Sequence, residues 1–189
     1  MELGKQQLVG AAQLIVLAAL CVCLAGSSLS WGKPTQPSHI EFYMYIAVQN
    51  ISFVDNPAPY TALRSATPGQ NKSSAFGDIH TFDNPLTTTP SLNNTLRIGH
   101  VQGWYGNTGQ SVLTLFLVQT FAFTTQHYNG TLSLVGIDVA DDALKYAPIV
   151  GGTGDFAFAR GVALQTLVST NIIDNRTVSW FHYELDLKY

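Results

Sequence analysis

Few residues in this chain could carry chemistry. The five histidines, His39, His80, His100, His127 and His182, are scattered, and none stands at ligand spacing from a cysteine or another histidine, so no metal site is expected. There is no Gly-x-Ser-x-Gly elbow. Gly152-Thr-Gly154-Asp-Phe-Ala157 fits a dinucleotide-binding pattern, but such a loop must open a helix. Here Phe156 and Phe158 alternate with Asp155, Ala157 and Ala159, the period of a strand with one aromatic face. What is left is acid–base chemistry by carboxylates. A carboxylate in an apolar pocket holds its proton more tightly than in water, and beside a phenol or a cation it can give or take one. Asp138, closing the run Gly136-Ile-Asp138 at the end of a predicted strand, is the first candidate. By residue type alone it fits a loop-capping aspartate as well.

The elements that must position it read almost entirely as strands. Ile40, Phe42, Met44, Ile46 and Val48 share one face of a first strand over His39–Gln49, opposite Glu41, Tyr43, Tyr45 and Ala47. Further strands are predicted over 60–67, 75–82, 97–104, 112–123, 131–138, 155–168 and 177–189. A polar loop spans 83–90, and one helical turn is expected over 141–146. Leu113, Leu115, Leu117 and Gln119 alternate against Val112, Thr114, Phe116 and Val118, which implies burial on both faces. Asn129-Gly130 is a hairpin signal. Strands at this spacing, almost without helical pattern, predict an all-β sandwich or closed barrel.

The composition narrows the function classes. The chain has 189 residues, 46% hydrophobic and 11% charged, with a formal charge of −3, so it suits one domain and offers no basic field for nucleic acid. Residues 1–30 read as a signal peptide: Lys5, an apolar run from Leu8 to Leu24, then small residues from Ala25 to Ser30. Residues 31–38, with two prolines, read as a flexible leader before a domain over 39–189. Cleavage would remove Cys21 and Cys23, the only cysteines, and leave a secreted chain with no membrane anchor, disulfide or thiol nucleophile. Five sequons, at Asn50, Asn71, Asn93, Asn129 and Asn175, fit a glycosylated export route. No cofactor signature is present, so the chain is not expected to oxidise a substrate by itself.

Pro148-Ile-Val-Gly-Gly-Thr-Gly-Asp-Phe156 followed by Ala159-Arg-Gly161 resembles the signature of the plant dirigent family. Phe42-Tyr43-Met44, Phe82-Asp83-Asn84-Pro85-Leu86-Thr87, Gln102-Gly103-Trp104-Tyr105 and Tyr128-Asn129-Gly130-Thr131-Leu132-Ser133 extend the likeness over Ile40 to Tyr189. The resemblance implies an eight-stranded antiparallel β-barrel, assembled as a homo-oligomer (trimer or dimer) and exported to the apoplast or cell wall. It implies a pocket that binds phenoxy radicals or quinone methides from monolignols and imposes stereoselective coupling in lignan or phenylpropanoid biosynthesis. The radicals come from an external laccase or peroxidase. Asp138 and Tyr105 match pocket residues of the family, and Lys145 stands where relatives commonly carry arginine. Phe42, Trp104, Phe156 and Phe158 are the aromatic side chains expected to hold the substrate. Coupling relatives read Phe-Tyr-x-His-Asp in the first strand, whereas Ile46 takes the aspartate's place here; Asp55 is the nearest acidic residue that could stand in. Two other functions fit the same residues: a cofactor-free dehydratase or cyclase acting on a quinone-methide-like intermediate, and a wall or defence protein that carries an apolar ligand.

Overall fold

The structure, a computed structural model, describes residues 36–49, 62–66, 76–173 and 176–189. The signal and leader through Thr35, Asp55, and the sequons at Asn50, Asn71 and Asn175 lie outside them. Gln36–Tyr189 forms one compact unit.

Among the described residues, nine strands form a closed barrel: β1 (His39–Gln49), β2 (Ala62–Ala66), β3 (Ile79–Thr87), β4 (Arg97–Asn107), β5 (Thr114–Thr124), β6 (Asn129–Val139), β7 (Lys145–Gly154), β8 (Arg160–Ile173) and β9 (Arg176–Lys188). Eight of them are long and antiparallel. The short β2 touches β1 at one parallel pair, Val48 with Ala62, while β1 also pairs directly with β3 through Met44 and Leu86. The last strand returns to the first over eleven residue pairs, from His39 with Asp186 to Gln49 with Arg176, and so leaves no free edge there to recruit another chain.

The alternation of β1 sets its inward face as expected. Ile40, Phe42, Met44 and Ile46 are buried, and Phe42 packs against Phe121, Phe123 and Tyr183 at ring distances of 5.1 to 5.4 Å. Burying a phenylalanine completely contributes about 2–3 kcal/mol. Along β5 the expectation holds for the inward face from Leu115 onward. Leu115 and Leu117 are half-buried and Gln119, Phe121 and Phe123 buried, but Val112 and Leu113 precede the strand and are exposed, and the outward Thr114, Phe116, Val118, Thr120 and Ala122 are only half-buried in the single chain.

Four expectations need correction. The 83–90 stretch is strand up to Thr87. Pro85 is accommodated because it sits where β3 hands over from β2 to β1, a place that tolerates a missing backbone N–H. The β5–β6 reversal is made by Thr125–Tyr128, with the Thr125 hydroxyl accepting from the backbone N–H groups of His127 and Tyr128, and Asn129-Gly130 already belongs to β6. No helical turn forms over 141–146, because Lys145 begins β7. Pro148 and the glycines hid that strand; Pro148 pairs with Val162 of β8, while pairing with β6 has already ended at Ile149. Finally, the strand expected from Asp155 begins only at Arg160. Gly154 at φ +63° and Phe158 at φ +70° make the intervening residues a turn, closed by bonds from Phe156 N–H to Thr153, Ala157 N–H to Gly154 and Ala159 N–H to Phe156.

Candidate functional site

One end of the barrel is plugged. Phe156 is fully buried against Phe123 (5.4 Å) and Tyr128 (5.3 Å), above the rings of Phe42 and Phe121. Toward the other end, the inward side chains leave a cavity of about 140 Å³. An engineered cavity of about 150 Å³ holds one benzene, so the room is that of a single aromatic ring. Met44, Ile46, Phe82, Leu115, Leu117 and Phe181 supply its apolar wall. Its polar groups are Asn84, Tyr105, Gln119, Asp138, Gln165, Ser179 and Tyr183.

Asp138 is the inward residue at the end of β6, opposite Leu115 of β5. Lys145 begins β7 next to it. Gly136 permits that closeness, because a Cβ there would come within 2.7 Å of the Ala147 Cβ and push β7 away. Lys145 Nζ donates to Asp138 Oδ1 and, at 2.9 Å, to the Val139 carbonyl. The two side chains are 16% and 13% exposed, so the pair is largely shielded from water. Gln165 Nε2 donates to Asp138 Oδ2 at 3.4 Å, the Tyr183 hydroxyl donates to Gln165 Oε1, and Gln119 Nε2 donates to the Tyr183 oxygen at 3.2 Å. Complete burial pushes the Tyr183 phenol far above its ordinary range, the Asp138 carboxylate pushes it the same way, and only the Gln119 bond opposes them. Tyr183 therefore stays a neutral donor. Tyr105 enters from β4 and stacks on His80 at 4.8 Å with an interplanar angle of 13°.

The cavity thus brings together Asp138 and Tyr105, with Lys145 on the outer side of the carboxylate. It does not bring together the four aromatics expected to hold substrate. Phe42 lies beneath the cavity, in the ring cluster with Phe121 and Tyr183. Phe156 is the plug at the opposite end. Trp104 points outward and packs on Phe116 at 6.0 Å, since its neighbour Tyr105 takes the inward position. Phe158 is 85% exposed, because a turn rather than a strand carries it. Gln119, Tyr183, Asn84 and Gln165 were not singled out from the sequence. Gln119 did leave a signal, as the one amide on the otherwise leucine-lined face of β5. Ile46, which replaces the family's aspartate, lies in the wall, so Asp138 is the only carboxylate among the described cavity residues.

Elsewhere, His39, Glu41 and Glu184 bring ligand-type atoms within 4.8 Å of one another on the outer wall. His39 bonds Asp186 at 2.8 Å and Glu41 at 3.0 Å. Of the two sequons within the described residues, Asn93 and Asn129 are both exposed.

The family profile described as dirigent-like protein matches residues 37–188. The chain is 34% identical over 134 residues to dirigent protein 11 of Arabidopsis thaliana, covering 70% of this chain and 66% of the relative, just under two thirds of its length. It is 32% identical over 154 residues to pterocarpan synthase 1 of Glycyrrhiza echinata, covering 77% and 78%. Among solved structures, a pterocarpan synthase dirigent protein superposes with a TM-score of 0.65 at 29% identity, covering 79% of this chain and 87% of the other.

Proposed function

This chain belongs to the dirigent family, and from that premise we propose that its barrel binds one phenolic ring, as a phenoxy radical or quinone methide, and orients it so that coupling yields one stereoisomer. The observation that carries the reading is the single-ring cavity with Asp138 and Tyr105 in its wall, Asp138 being held from behind by Lys145. Holding the reactive face in one geometry replaces random encounter with a single approach. Discriminating two mirror-image approaches ten-fold requires only about 1.4 kcal/mol, which shape can supply. When a hydroxyl adds to a quinone methide, the hydroxyl loses a proton and the quinone oxygen gains one. Asp138 takes the first, the Tyr105 hydroxyl gives the second, and a proton passes from Asp138 back to Tyr105 through solvent once the product leaves. Radicals are supplied by an external laccase or peroxidase.

The protein is further proposed to act outside the cell, in the apoplast or wall, as a glycosylated homo-oligomer. Support for assembly comes from outward apolar residues of the single chain: Ile137, Tyr146, Val162 and Leu167 are each about half-exposed or more. The functional test is oxidation of coniferyl alcohol by a laccase with and without the protein, read by chiral chromatography. An enantiomeric excess only with the protein is expected; racemic product in both counts against the reading.

A second reading, a cofactor-free dehydratase or cyclase, is favoured by the shielded Asp138–Lys145 pair and by the pterocarpan synthases among the relatives. It requires turnover of one closed-shell phenol with no oxidase present, abolished by Asp138→Asn. Unchanged turnover in that variant removes it.

A further inference from the structure

Two buried amide oxygens in the cavity, Oδ1 of Asn84 and Oε1 of Gln119, have no hydrogen-bond partner among the described residues. Their residues are 0% and 2% exposed. Acceptors left unmet at that depth are costly, and native interiors rarely keep them without a reason.

Which end of each amide faces the cavity follows from Asp138. A carboxylate only accepts, so Gln165 must turn its NH2 toward Asp138. Gln165 then has only its oxygen for the Tyr183 hydroxyl, and the Tyr183 oxygen must take its hydrogen from Gln119 Nε2. The polarity of the whole chain is fixed, and Gln119 is left presenting a carbonyl oxygen. Asn84 is set in the same sense, because its NH2 lies 3.6 Å from the Met44 thioether, which has no hydrogen to give.

The acceptors lie deeper than the donors. Gln119 is four residues along β5 from Leu115, the partner of Asp138, which is roughly 13 Å of strand. Tyr105 pairs with Leu117, between them. Lys145 stands behind Asp138, outside the cavity lining, with N–H groups on Asp138 and the Val139 carbonyl. Resting on the phenolic reading above, we infer that Gln119 and Asn84 form a hydroxyl-receiving subsite that sets which way round the ligand enters. A phenoxyl or quinone-methide oxygen carries no hydrogen, and against Gln119 it would set acceptor to acceptor. It is therefore excluded from the deep end and seats at the other end, beside Tyr105. A separate hydroxyl of the same ligand, such as the terminal alcohol of a phenylpropenol, donates its one hydrogen to Gln119 or Asn84. A ligand hydroxyl that reaches these buried oxygens brings the hydrogen they lack.

The test is calorimetric binding to the full chain of coniferyl alcohol, its phenol methyl ether, whose ring oxygen carries no hydrogen as in the radical, and the compound methylated at both oxygens. The phenol ether is expected to bind within about three-fold of the parent, and the doubly methylated compound about ten-fold or more weakly than the phenol ether. Gln119→Leu and Asn84→Leu should weaken the phenol ether and bring it level with the doubly methylated compound, with folding checked by near-ultraviolet circular dichroism. Gln119→Met serves as a second variant of closer length. Equal binding of the two ethers, or a difference that survives both substitutions, overturns the subsite and leaves the cavity reading standing. A larger loss from parent to phenol ether reverses the orientation and also overturns it. If the parent does not bind, the phenolic reading of the cavity falls, and the subsite with it.

Discussion

Removing both charges of the Asp138–Lys145 pair should cost less than the two single removals added together. Asp138→Asn leaves the Lys145 ammonium, 16% exposed, facing a neutral amide, with the Val139 carbonyl at 2.9 Å as its remaining acceptor. Breaking a fully buried pair costs about 3–5 kcal/mol. With part of each group still reaching water, about 2 kcal/mol is the expected loss here. For a domain of this size that is a fall of roughly 4–8 °C in Tm. Lys145→Met should cost a similar amount by stranding the carboxylate, which keeps only the Gln165 amide at 3.4 Å. The double variant Asp138→Asn/Lys145→Met strands no charge, so it should lose less than the sum of the singles by at least about 1 kcal/mol. Thermal unfolding of the four proteins followed by near-ultraviolet circular dichroism, without ligand, measures the coupling. Losses that add to within about 0.5 kcal/mol would show that the two groups act independently and refute the pairing.

Two smaller effects follow from the outer surface. Phe158 adopts φ +70° while 85% exposed, so Phe158→Asn, which suits that conformation, should raise stability by up to about 1 kcal/mol in a denaturant titration; a loss would mean the ring makes contacts that outweigh its backbone strain. On the β1–β9 seam, the hydrogen bond to Asp186, then that to Glu41, raises the His39 pKa above 6.5, and His182 lies between Glu41 and Glu184 on the same face. The stabilisation from His39 is therefore full below 6.5 and lost as pH rises through its raised folded value. Glu41, lowered from 4.5 chiefly by its bond to His39, contributes above 4.5 and loses that as pH falls through its lowered value. Because His39 is about half-exposed, the amplitude should stay below about 0.5 kcal/mol. His39→Gln should flatten the upper limb of Tm against pH, and an unchanged limb would assign it to another group.

The barrel was legible where hydrophobic alternation is undisturbed. Ile40, Phe42, Met44 and Ile46 announce the inward face of β1, and Leu115, Leu117 and Gln119 that of β5. Elsewhere local chemistry concealed the structure. Pro148 and three nearby glycines argue against a strand, yet β7 runs through them because its ladders with β6 and β8 hand over at Ile149. Phe156-Ala-Phe158 has the period of a strand, but the positive φ angles of Gly154 and Phe158 fold it into a turn and send the two rings in opposite directions, one into the plug and one into solvent. For the site, Asp138 and Tyr105 could be named from motif positions. The Gln165–Tyr183–Gln119 chain could not, because its members lie on three strands that only barrel closure brings together.

The account stands or falls on a phenolic ring entering the cavity between the floor of aromatic side chains and Asp138. Intermolecular nuclear Overhauser effects between coniferyl alcohol and protein labelled at methyl and aromatic groups test this directly. Contacts from the ligand to the Met44 and Leu117 methyl groups are expected, with none to the Trp104 indole or the Phe158 ring. Contacts confined to Trp104 or Phe158, with the Met44 and Leu117 signals unmoved, would contradict it.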